Sequence, residues 1–193
     1  MKKFALVIIA ALLFAQSHAV VASDWMTELR EALANGNFAE INVIAANNPG
    51  AQNDIALFLL REGQNNLATR PDVAIRLFSA AVPFASQIKL TSAREAGNII
   101  AAFLALARDP AFQKRNPQGA SDIFTAALAM SIEPNIVVAN PNLHNVVLAD
   151  ARDFMGDNPV DANKVLADQI NLALQVGSPA PIGPRGVINP SAE

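Results

Sequence analysis

Apolar residues recur along most of this chain three and four positions apart, the period of one helix face, and seldom in the alternating pattern of a half-buried strand. That periodicity predicts helices over 24–35, 37–47, 50–66, 71–82, 91–108, 117–131, 141–155 and 159–176. Tyrosine is absent, and Ile136-Val137-Val138 is the one β-branched run of three downstream of the N-terminal leader. The expected fold class is therefore all-α, with about seven to eight helices.

Four dipeptides punctuate the pattern: Asn48-Pro49, Asn116-Pro117, Asn140-Pro141 and Asn158-Pro159. An asparagine N-cap accepts a bond from a free backbone N–H, and proline at the first helical position has no N–H to leave unpaired. Each pair is thus expected to start a helix.

Part of the pattern repeats. Pro71, Ala74, Phe78, Ala80 and Ala81 recur 46 positions later as Pro117, Ala120, Phe124, Ala126 and Ala127. Leu104, Ala105, Ala107, Arg108 and Asp109 recur 44 positions later as Leu148, Ala149, Ala151, Arg152 and Asp153. Fainter copies carry Ala39, Val43, Ala45 and Ala46, and Pro159, Ala162 and Leu166. Small residues around one ring let a neighbouring helix approach while the ring fills the gap. The expected architecture is an irregular helical-hairpin repeat, α-solenoid-like, with a compact helical array as the alternative. The Ala-x-x-x-Phe-x-x-Ala spacing resembles the second helix of tetratricopeptide repeats. No Trp-x-x-Leu-Gly helix accompanies it, so the likeness implies a shared packing solution and no family.

The two ends depart from this pattern. Lys2 and Lys3 precede an unbroken apolar run from Phe4 to Phe14, followed by polar Gln16 to His18 and small Ala19. This is the grammar of a secretory signal peptide, residues 1–19, with cleavage expected after Ala19 and Val20–Ala22 offering a second site. The run falls short of the roughly 20 apolar residues that cross a bilayer. The destination expected is periplasmic or extracellular. A helical domain is expected over 24–176, and the Pro- and Gly-rich residues 177–193 form a flexible tail or a docking peptide.

Composition changes the picture once the leader is set aside. Two of the 14 basic residues lie in it, so 12 remain against 17 acidic ones, a net charge of −5. No basic footprint is left for nucleic acid or an anionic membrane. With no cysteine, stability must come from packing alone, and neither a thiol nucleophile nor a lipid-modified cysteine is available. Outside the leader the longest apolar stretch is Ile99 to Ala107, a core segment and no membrane span.

Candidate chemistry is sparse. His144 is the single histidine outside the leader, and no Gly-x-Ser-x-Gly elbow accompanies it; a surface or packing role is expected. One imidazole and no thiolate make no zinc site. Asp150, Asp153, Asp157 and Asp161 form the densest acidic stretch, but Pro159 interrupts it and the ladder of a calcium loop is missing, so helix-end charges explain it better. Glu28, Glu31, Glu40, Glu62, Glu95 and Glu133 leave a carboxylate-pair hydrolase open in principle. Phe38, Phe58, Phe78, Phe103, Phe124 and Phe154 are expected in the core, and Trp25 is expected to anchor the first helix. No catalytic, metal or cofactor residue is assigned. The function expected is an exported helical scaffold or adaptor for a protein partner, without catalysis. A carrier for a small apolar ligand is second and the hydrolase third.

Overall fold

Proline decides where these helices break. The computed structural model describes residues 24–157 and 164–177. Arg70, Asn116 and Asn140, each before a proline, share one backbone conformation, with φ near −140° and ψ of 66° to 68°. Asn48 is close to it, at φ −127° and ψ 63°. The proline ring crowds the preceding residue out of the α region, so the helix must stop there. The carbonyl of that same residue still serves the next turn: Ala74 N–H donates to Arg70 O at 3.0 Å and Ala120 N–H to Asn116 O at 3.1 Å. The chain changes direction without stranding backbone groups.

Ten α-helices result, and no strand occurs among the described residues. They are α1 (Asp24–Ala34), α2 (Phe38–Asn47), α3 (Gln52–Asn66), α4 (Pro71–Ala81), α5 (Leu90–Ala107), α6 (Pro110–Arg115), α7 (Pro117–Ser131), α8 (Pro134–Ala139), α9 (Leu143–Asp157) and α10 (Lys164–Gly177). Short 3-10 segments, Pro49–Ala51 and Val82–Gln87, precede α3 and follow α4. The protein is all-α, with more helices than the periodicity predicts: α6 and α8 are additional. The expected signal peptide, Asn158-Pro159, Asp161, Ala162 and all but Gly177 of the expected tail fall in residues 1–23, 158–163 and 178–193, which lie outside the described residues. No helix among the described residues is long and apolar enough to cross a membrane.

The chain divides into two compact units, residues 1–92 and 93–193. In the first, α1 and α2 pair across a tight turn. Gly36, at φ 69°, takes the left-handed conformation there, while Asn37 N–H reaches Ala32 O at 2.8 Å and Gly36 N–H reaches Leu33 O at 3.0 Å. This is a Schellman cap, which needs a residue without a Cβ penalty at that position. Helix α3 packs on α4 and on the 3-10 segment after it. The buried Asn53 on α3 accepts the Lys89 backbone N–H at 2.9 Å, which holds the end of that segment. Phe38 and Phe58 are only half-buried, each under a guanidinium: Arg76 lies 4.2 Å from the Phe38 ring centre and Arg30 5.9 Å from that of Phe58. Half-open ring faces suit cations better than a dry core would. Trp25, near the start of α1, is also half-buried.

In the second unit α7 is the centre, packed by α6, α8, α9 and α10. Its Ala120, Phe124 and Ala127 are fully enclosed, as are Ala74, Phe78 and Ala81 of α4 in the first unit. The Phe124 and Phe154 rings tilt against each other with centres 5.2 Å apart, a favourable aromatic geometry.

Candidate functional site

The three described asparagines before proline do different work. Asn116 caps as expected, its Oδ1 accepting Gly119 N–H at 2.9 Å. Asn48 instead turns its amide back and donates to Ile44 O at 2.9 Å. Asn140 ends α8, and its Nδ2 donates to Ala93 O on α5 at 2.9 Å and to Ile136 O at 3.3 Å. Residues Pro141 and Asn142 form a turn, and α9 starts only at Leu143. The side-chain cap expected at Asn140-Pro141 is thus replaced by a latch on α5. Gly97, one turn along α5, makes room for it: a Cβ there would overlap the Asn140 carboxamide.

This latched corner carries two grooves, one on each side of Pro141. The first, of about 390 Å³, is lined by α5 residues including Gly97, Ala101 and Leu104, and by Asn140, Leu143 and Val146. The second, of about 420 Å³, is lined by Ile132, Pro134, Val137, Val138, Pro141, His144 and Asn145. Val137, Val138 and Val146 are 37%, 69% and 43% exposed around them. Helix α8 explains the two exposed α8 valines. It has one turn and a half, its Ile136 is buried, and that leaves its neighbours Val137 and Val138 facing water.

His144 stands in the wall of the second groove. It is half-buried, and its Nδ1 lies 3.1 Å from Ser131 Oγ, which also donates to Leu128 O at 3.0 Å. Ser131 is 1% exposed, so no substrate reaches its hydroxyl in this arrangement. The Nε2 of His144 is shielded from solvent and has no partner. A catalytic triad would need an acid at one imidazole nitrogen and an accessible serine at the other; this pair has neither.

The remaining candidates are dispersed. Arg108 pairs with Asp150 through Nε–H to Oδ2 at 2.7 Å and through its terminal nitrogen, engaging one member of the acidic stretch. Asp153 is exposed on α9, while the Asp157 side chain and Asp161 lie outside what is described. Among the described residues no three His, Cys, Asp or Glu side chains gather in a way that could hold a metal ion. Of the six candidate glutamates named from the sequence, Glu62 lines a groove of about 150 Å³ in the first unit, beside Phe38, Arg70 and Leu77. None of these three grooves is lined by two carboxylates.

Sequence reasoning named His144 but missed the corner around it. The signal was there in part: Pro110 and Pro134 stand at the first positions of α6 and α8, as proline does after the asparagines, with Asp109 capping α6 through its side chain and Glu133 making no side-chain cap. No family model matches this chain, and neither a curated protein nor a solved structure matches it.

Proposed function

We propose that this chain is an exported helical scaffold that captures a protein partner at the α8–α9 corner and performs no catalysis. The carrying observation is the set of three exposed valines beside two apolar grooves in one corner of the second unit. Burying such side chains is worth roughly 25 cal/mol per Å² of apolar surface, which favours a partner over water. The finer architecture we propose is an irregular helical-hairpin repeat. The alanine–phenylalanine stripes 46 positions apart, Ala74, Phe78 and Ala81 and then Ala120, Phe124 and Ala127, are equally enclosed. Export rests on the leader, where Lys2 and Lys3 precede the Phe4–Phe14 run.

Val138→Asp tests the partner surface with little risk to the fold, because that side chain is 69% exposed. With the wild-type chain and this variant as baits in extract of the exported fraction, one protein should be retained by the first and reduced at least about tenfold by the second, a loss of ~1.4 kcal/mol. Equal retention on both baits, or no specific protein on either, contradicts the proposal.

A second reading, a carrier for a small apolar ligand, draws on the size of the second groove. About 420 Å³ falls within the roughly 300–1,000 Å³ of small-molecule sites. Native mass spectrometry of protein from its own host separates the two, since a carrier arrives with its ligand.

A further inference from the structure

We infer that Asn35-Gly36 is a latent deamidation site, closed while the α1–α2 turn is folded and converted irreversibly when that turn opens. It is the one Asn-Gly pair of the chain. The chemistry is a ring closure between neighbours. The backbone nitrogen of Gly36 attacks Cγ of the Asn35 carboxamide and closes a succinimide. Nδ2 leaves as ammonia, taking the proton that Gly36 gives up. Water then opens the ring at Cγ to give aspartate, or at the Asn35 main-chain carbonyl to give isoaspartate, whose backbone runs through Cγ. Glycine is the neighbour that obstructs this closure least, since it carries no Cβ. Both residues are exposed to water, and no heavy atom lies within 4 Å of where a Gly36 Cβ would stand.

The folded turn withholds the nucleophile. Gly36 N–H is donated to Leu33 O at 3.0 Å, flanked by Asn35 N–H to Glu31 O at 3.0 Å and Asn37 N–H to Ala32 O at 2.8 Å. Attack requires the Gly36 nitrogen without its proton, and that proton sits in the middle of three consecutive bonds. The same bonds hold the backbone against the swing that ring closure needs. Amide hydrogen exchange requires the same N–H to be released, so the two reactions share one opening event. Local openings of this kind occur without unfolding of the whole domain.

Neither product restores the original turn. Isoaspartate adds a carbon to the backbone just before Gly36, so the bonds to Leu33 O and Ala32 O lose register. Aspartate puts a carboxylate at the C-terminal end of α1, where the helix dipole disfavours it, four residues after Glu31. Conversion therefore loosens α1 from α2, and molecules that have opened stay marked.

The full chain is incubated in native buffer and, separately, in urea. Peptide mapping follows aspartate and isoaspartate at position 35, and NMR follows exchange of the Gly36 N–H in native buffer. Conversion should be at least about tenfold slower in native buffer, and the slowing should match the protection of the Gly36 N–H to within a few-fold. Phe38→Ala removes a ring that lines the small groove beside Leu33 and Ala34, next to the turn. It should raise conversion and exchange in native buffer by the same factor and leave the rate in urea unchanged. If Phe38→Ala does not fold, the wild-type comparison still decides. The converted chain should have lost protection at Gly36 and Asn37. Equal conversion in the two buffers, no conversion in urea, native conversion out of step with Gly36 exchange, or unchanged protection after conversion overturns the inference.

Discussion

Phe124→Ala should destabilise the second unit by ~3–5 kcal/mol, the usual cost of deleting a ring from a closed core. Phe124 is 1% exposed on the helix that α6, α8, α9 and α10 all pack against, and its ring meets that of Phe154. The site cannot collapse around alanine easily, because the flanking stripe residues Ala120 and Ala127 are already small and fully buried. Urea unfolding followed by far-UV circular dichroism measures the loss. Phe58→Ala is the contrast. Phe58 is only half-buried, under Arg30, so its removal should cost ~1 kcal/mol, near the middle of ordinary substitutions. Equal losses at the two positions would mean that α7 is not the centre of its unit.

Gly97→Ala should also destabilise, although propensity alone argues the reverse. Alanine in a helix interior gains ~1 kcal/mol over glycine. Here the added Cβ would overlap the Asn140 carboxamide and expel it from Ala93 O and Ile136 O. Losing two part-buried bonds costs ~1–3 kcal/mol, to which displacement of the pre-proline turn adds. The net expectation is a loss of ~1–2 kcal/mol with a disturbed α8–α9 corner. A double-mutant cycle settles the cause. In the Asn140→Ala background the clash partner is gone, so Gly97→Ala should become neutral or stabilising. A Gly97→Ala variant that is more stable than wild type on its own would show that the latch contributes nothing.

The contrast between these two positions shows what was legible in the sequence. Phe124 could be placed in a core because Ala120, Phe124 and Ala127 share a helix face, a relation written within one helix. The boundaries of α3, α4, α5 and α7 came within a residue or two for the same reason. The role of Gly97 was not legible, because it depends on Asn140, 43 positions away, crossing to α5. Helix α8 was missed since its Ile136-Val137-Val138 core is β-branched and only six residues long, so packing on α7 stabilises it and propensity does not. Phe38 and Phe58 were expected in the core with the other rings, but their helix faces lie at an edge that Arg76 and Arg30 share with water. The groove beside His144 is made by two turns and a short helix meeting, and no periodicity within one element encodes that.

A photo-crosslinking residue placed at position 138 in the full chain, expressed in its own host, tests the scaffold account most directly. Val43 is the control: it is 58% exposed in the first unit and borders none of the grooves described. The account predicts one protein adduct from position 138 and none in common from position 43. No adduct from position 138, or the same adducts from both positions, would contradict it.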